Sequence, residues 1–275
     1  MTVTAKLPRL AMLNSMAGFG SISTTVALPV ISAMQVQVCP IPTSVLSNHL
    51  AFPACSYYDY TPHIPDYIRA WKELGLTFDG FYCGFLGNVE QMGIVEDFLE
   101  HFQPPFFLLD PVMGDYGKAY STVTPEHCNH MKRLLARADL ITPNLTEACL
   151  LTGTPYKDNE WTDDELSALC EKLAVLCPGN IVLTGICRDK HFINYIWKKG
   201  KISTYAVAST GNARHGTGDL FASILTANAL HHKDLFSSVK QAADFIALCI
   251  QESEKMGLPP KEGVPFEKYM CYLIP

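Results

Sequence analysis

The chain has 275 residues, with 21 basic and 27 acidic side chains for a net charge of −6, and is 17% charged and 48% apolar. A chain of this size and composition buries its own core, which excludes intrinsic disorder, a collagenous repeat and a disulfide-held miniprotein. Its basic residues are scattered and no apolar run reaches the roughly 18 residues that span a bilayer, so neither nucleic acid nor a membrane is an expected partner.

Residues 9–13 form an apolar run that predicts a first strand. The run is too short for a secretory signal, so a cytoplasmic location is expected, with the ten cysteines kept as thiols. Gly18-Phe19-Gly20 follows, but Ser23 stands where a dinucleotide fingerprint needs glycine, and no acidic residue closes the second strand predicted at 36–42. Residues 44–65, rich in Ser, Pro, Tyr and His without a clear period, predict an inserted loop or small flap. Near-continuous apolar runs at 78–82, 105–110, 140–142 and 181–184 predict strands buried on both faces. Gly117-Lys118-Ala119 lacks the pattern of a P-loop, which excludes a Walker-type NTPase. His127-Cys128-Asn129-His130 falls in a predicted surface helix with no second ligand pair nearby, so a solvated face is expected there and not a metal site. Thr162 and Glu165 make a capping box for a helix carrying Leu166, Leu169, Leu173 and Leu176. Residues 192–197 and 202–208, around Lys198-Lys199-Gly200-Lys201, predict a β-hairpin. Leu235, Val239, Ala242, Ala243, Ile246, Cys249 and Ile250 give a last helix one apolar face. Strands alternating with helices, with no repeat or linker, predict a single α/β domain over residues 1–275 built on a mostly parallel sheet.

Three segments carry candidate chemistry. His215-Gly216-Thr217-Gly218-Asp219 precedes an apolar-periodic helix. Its glycines let backbone N–H groups converge at a helix N-terminus, which suits an anion. Asp219, in the first turn, would face that anion, a placement that suits a base taking a proton from a hydroxyl attacking phosphorus. Read locally, a tight turn with a helix-start aspartate is the alternative. Asp110 begins Asp110-Pro111-Val112-Met113-Gly114-Asp115 at the carboxyl end of a strand, where open α/β sheets place ligands. Thr142-Pro143-Asn144-Leu145-Thr146-Glu147 taken alone reads as a capping box, and with Asp110 as an oxygen-rich Mg²⁺ site.

Taken in order, these motifs resemble the ribokinase superfamily, and within it the pyridoxal (vitamin B6) kinase branch. Ser47-Asn48-His49 looks like its Ser-Asn-His motif, Asp110 to Asp115 its Asp-Pro-Val-(Leu/Met)-Gly-Asp, Thr142 to Glu147 its Mg²⁺ segment, and Gly216 to Asp219 the superfamily's anion hole and base. The resemblance implies a three-layer α/β/α fold with a small flap at 44–65, and ATP-dependent phosphorylation of the hydroxymethyl group of pyridoxal, pyridoxamine or pyridoxine. It implies Asp219 as base, with the amides of Gly216, Thr217 and Gly218 steadying the transferred phosphoryl. Glu147, Asp110 and Asn144 would place Mg²⁺, largely through water. Thr184, with Asp115 and Gly185, would approach the ATP phosphates together with Thr217. Ser15 would hydrogen-bond the substrate ring and His49 would lie beside it. A homodimer is implied as well, and a monovalent cation is left open.

Two segments depart from the branch. Leu50 stands where a threonine is common, and Cys83-Gly84-Phe85 replaces Thr-Gly-Tyr, so hydroxyls near the substrate give way to less polar groups. Phe85 can stack on a pyridine or a pyrimidine ring. A hydroxymethylpyrimidine kinase of thiamine synthesis, from the same superfamily, is therefore the alternative enzyme, and a non-catalytic ligand-binding relative is the alternative of another class.

Overall fold

The computed structural model describes residues 6–158 and 160–275. The strands are β1 (Arg9–Ala17), β2 (Gln37–Leu46), β3 (Tyr57–Asp59), β4 (Gly80–Cys83), β5 (Phe107–Leu109), β6 (Gly114–Asp115), β7 (Lys118–Ala119), β8 (Leu140–Ile141), β9 (Asn180–Arg188), β10 (His191–Lys198) and β11 (Lys201–Ala208). The α-helices are α1 (Thr24–Ala33), α2 (Ile64–Glu73), α3 (Val89–Phe102), α4 (Pro125–Leu135), α5 (Leu145–Thr152), α6 (Asp163–Leu176), α7 (Thr217–Leu230) and α8 (Leu235–Met256). Nine strands make one sheet in the order β11-β10-β9-β8-β5-β4-β1-β2-β3, and β6 pairs with β7 apart from it. The pairs from β2 through β9 are parallel, while β3, β10 and β11 join antiparallel at the two edges.

Side chains alternate across each central strand, as a pleated backbone requires. Ala11, Leu13, Phe81, Cys83, Phe107, Leu109, Ile141, Ile181 and Leu183 point into a layer completed by α2 to α6. Leu10, Met12, Tyr82, Leu108, Leu140 and Val182 point the other way, onto α1, α7 and α8. This is the three-layer α/β/α arrangement that the resemblance implied. Among the described residues no helix is long and apolar enough to cross a membrane, and all ten cysteines are free thiols.

Three expectations are refined or corrected. The segment expected as a loop or flap at 44–65 keeps a loop at 47–56, but its first residues extend β2 to Leu46, Tyr57–Asp59 adds an edge strand, and α2 opens at Ile64. Polar Thr43 and Ser44 are fully buried there, so the apolar pattern that betrays a strand is missing. A second correction concerns β9, which runs past the expected residue 184 to Arg188. Between Leu183 and Ile186 it offers two residues opposite the single Asn194 of β10, a bulge made possible by the positive φ of Gly185. His127, the third, is not on a solvated face but 1% exposed. His127, Met131, Leu134 and Leu135 follow the i, i+4, i+7, i+8 spacing of a buried stripe, with the imidazole as its first member.

Candidate active site

A cleft of ≈ 830 Å³ runs across the carboxyl ends of the parallel strands and receives every residue singled out from the sequence. Sheet order sets their sequence in space. Ser15 of β1, His49 beyond β2 and Phe85 beyond β4 stand at one end, and Asp110 follows β5. Asn144 and Glu147 follow β8, and Thr184 and Gly185 sit on the β9 bulge. The loop before α7 faces this row with Gly216, Thr217, Gly218 and Asp219.

The loop is shaped for an anion. Gly216 has φ 78° and caps α7 with no side chain to bond the first-turn amides. A Cβ on it would stand 1.9 Å from the Ser21 carbonyl oxygen, so only glycine fits; a Cβ on Gly218 would meet nothing and project into open space. Thr217 Oγ1 donates to the Arg214 carbonyl at 2.9 Å. Arg214 itself is buried and holds the loop to the end of α8, donating to Leu258 O at 2.7 Å and Glu254 Oε1 at 2.9 Å.

Half-buried Asp219 receives Asn14 Nδ2 at 3.5 Å. Burial pushes its carboxyl up to about 6, against the Ser23 amide, Asn14 and its own amide, which favour the charge. Asp110 accepts from Thr142 Oγ1 at 2.9 Å, and burial plus the neighbouring Asp219 charge push it up to about 7. Glu147 is 4% exposed, and burial and the Asp110 charge raise it well above the usual carboxylate range. Its two oxygens accept from Met113 N at 3.1 Å and Asn144 N at 2.8 Å. The Asn144 carboxamide is committed at both ends, accepting from Glu147 N at 3.0 Å and donating to Gly114 O at 2.9 Å. Asn144 therefore presents Glu147 and β6 to the cleft and offers little of its own. Asp115 is exposed on β6, and the β6–β7 hairpin turns through Tyr116 and Gly117, both at positive φ.

Among the described residues, none of Asp110, Asp115, Glu147 and Asp219 is ion-paired with a basic side chain. No three His, Cys, Asp or Glu groups among those residues converge closely enough to ligate a metal directly. Unpaired, desolvated carboxylates that stand apart fit a hard cation which keeps part of its water shell, as Mg²⁺ does.

At the other end, Ser15 Oγ donates to Ser23 Oγ at 2.9 Å, both side chains being buried. His49 Nδ1 accepts from Ala51 N at 3.3 Å, so Nε2 carries the proton that bonds Lys261 O at 2.6 Å. Both ring nitrogens being taken, His49 can offer a ligand only its ring. Phe85 is half-buried and Leu50 is 57% exposed, both lining the cleft. Two residues of this end are not site candidates on the sequence alone. Ser23 has φ 54° and ψ −132°, a glycine-like conformation, and its hydroxyl turns to Ser15 without capping α1. Asn14 sits fully buried between Ser15, Phe85 and Asp219. A polar residue within an otherwise apolar strand was the available signal for Asn14; nothing in the sequence marked Ser23.

The family profile described as phosphomethylpyrimidine kinase matches residues 58–263. A hydroxymethylpyrimidine/phosphomethylpyrimidine kinase of Aquifex aeolicus is 30% identical over 209 residues, covering 73% of this chain and 79% of its own. A Bacteroides thetaiotaomicron protein described as a phosphomethylpyrimidine kinase superposes with a TM-score of 0.94 at 33% identity, covering 99% of this chain and 96% of that one. A second crystal form of it, solved with pyridoxal, superposes with a TM-score of 0.90 at 33% identity over 98% and 96% of the two chains. The pyridoxal kinase of Lactobacillus plantarum superposes with a TM-score of 0.91 at 25% identity over 98% and 97%.

Proposed function

Because the chain belongs to the phosphomethylpyrimidine kinase family and is a kinase, we propose that it transfers the terminal phosphoryl group of ATP to the hydroxymethyl group of a B6 vitamer. The observation that carries this reading is the position of Asp219: a desolvated carboxylate with no cationic partner, beside the uncapped amides of Gly216 to Gly218. The acceptor ring lies at the Ser15, His49 and Phe85 end, with Leu50 at its mouth, and the nucleotide phosphates lie toward Thr184, Gly185 and Asp115. Asp219 stands between the two. An alcohol is too weak an acid for a carboxylate to ionise beforehand, so Asp219 takes the proton as the new O–P bond forms. The α7 amides hold the charge developing on the phosphoryl oxygens. Asp110 and Glu147 would hold Mg²⁺ through water, and the ion would supply charge neutralisation for the phosphates.

One structural observation supports a B6 vitamer as acceptor: a neighbour at 33% identity was solved with pyridoxal. The aromatic and apolar walls of Phe85 and Leu50 suit either ring. The names of the Aquifex aeolicus and Haemophilus influenzae relatives favour the second reading, a hydroxymethylpyrimidine acceptor, while a Bacillus subtilis relative at 28% identity is named a pyridoxine kinase. The test is turnover by the purified chain with ATP and Mg²⁺ and, in turn, pyridoxal, pyridoxamine, pyridoxine and hydroxymethylpyrimidine. A kcat/KM for one vitamer at least about tenfold above that for the pyrimidine is expected, a ratio within reach of modest pocket differences. The reverse ratio would assign the pyrimidine, and binding without turnover of any of them would remove the kinase reaction.

A further inference from the structure

We propose that Asn14 is a positioning residue that orients the Asp219 carboxylate and locks it to the wall on which the acceptor ring rests. The proposal rests on reading Asp219 as the base. Asn14 is 0% exposed on β1, among side chains that otherwise fill two apolar layers. Its Oδ1 accepts two backbone N–H groups, from Ser15 at 2.8 Å and from Phe85 at 3.0 Å. Those two donors fix the carboxamide, since a flipped amide would set its NH₂ against both. Nδ2 is thereby aimed at Asp219 Oδ1, 3.5 Å away, a length typical of catalytic contacts that tighten once substrate binds.

The next strand makes room for this arrangement. A Cβ on Gly84 would come within 2.5 Å of Asn14 Nδ2 and 2.8 Å of its Oδ1. Ser15 and Phe85 line the cleft while Asn14 is shut away beneath them, so it acts through its three partners and not on a ligand. Satisfying the two amides needs only an acceptor oxygen. The donor end is surplus to that structural task, and it is the end that meets Asp219. A neutral donor also restrains the carboxylate without the strong stabilisation of its charge that a lysine or arginine would bring, which would weaken it as a base.

Asn14→Asp separates the two ends, keeping the oxygen that accepts from Ser15 and Phe85 while replacing the donor that faces Asp219. Its kcat is expected to fall on the order of 10–100-fold, the cost of a misaligned catalytic group. KM for ATP and for the acceptor should stay within about threefold, since binding contacts are untouched. Asp219→Asn and the double variant complete a cycle, in which Asn14→Asp should cost nothing further once the base is gone. Unchanged kcat in Asn14→Asp, or an additive loss in the double variant, would overturn the proposal. So would failure of Asn14→Asp, Asn14→Ser and Asn14→Ala alike to fold, which would make the carboxamide purely structural. If Asp219→Asn itself keeps its kcat, the base assignment has failed, an outcome the cycle tells apart from failure of Asn14 alone.

Discussion

In the proposed reaction Asp219 serves as the base, and its partial burial suits it to that role. Burial raises its carboxyl from 3.8 to about 6, closer to the pH at which a proton acceptor works, while the Ser23 amide and Asn14 limit the rise. A base acts in its ionised form, so protonation removes activity. kcat/KM is therefore expected to hold level at alkaline pH and to fall as pH drops through about 6, with Asp110 at about 7 adding to the loss in the same direction. A pH–rate profile of kcat/KM checks this, and a limb centred near 4 would mean that Asp219 titrates as if in open water. Asp219→Asn should lower kcat by roughly 10²–10⁴-fold, the usual contribution of such a group, with nucleotide affinity preserved. That Asp219, Asp110 and Glu147 share one cleft was legible in the sequence because each stands at a strand or helix end where ionised groups need a reason. Ser23 was not, because what distinguishes it is a backbone angle, and Asn14 was not, because two of its partners, Phe85 and Asp219, lie far away in the chain.

Helices and strands were legible where burial imposes a period and obscure where polar groups take apolar places. The cores of the central strands and the stripes of α6 and α8 follow their apolar spacing closely. The start of α2 and the extension of β2 do not, since Thr43, Ser44 and Thr61 are buried through hydrogen bonds or close packing instead of hydrophobicity. α4 shows a cost of the same kind. His127 begins its buried stripe with both ring nitrogens unpartnered, and burial together with His130 lowers its pKa. A base whose folded pKa is depressed adds stability above its unfolded value near 6.5, lost as pH falls through the folded pKa. His127→Leu should remove an unsatisfied buried group worth about 1–3 kcal/mol. The expected gain in Tm is about 2–6 °C for a chain of this size, measured by calorimetry at pH 7 and larger at pH 5. A lower Tm at both values would show that the imidazole finds a partner.

At the scale of the whole molecule, the parallel sheet sends the carboxyl ends of its strands to one edge and collects Asp110, Asp115, Glu147 and Asp219 there without a paired cation. Asp110 and Asp219 have folded pKa values of about 7 and about 6, above their ordinary 3.8. Acids shifted this way bind protons more tightly in the folded state, so the stability they contribute is full below about 4 and is lost as pH rises through 6 to 7. The folded chain without a cation is thus strained by its own cleft at neutral pH. A divalent cation held near Asp110 and Glu147, as proposed, would relieve that strain only where both are ionised. At Mg²⁺ about tenfold above its Kd, binding should add about 1.4 kcal/mol at pH 8, a rise in Tm of about 3 °C, and almost nothing at pH 5. Asp110→Asn should abolish the rise at pH 8 while leaving the Tm without Mg²⁺ equal to or above that of the parent. Equal gains at both pH values, or a gain that survives Asp110→Asn, would place the ion elsewhere on the surface and leave the acidic edge without its counter-charge.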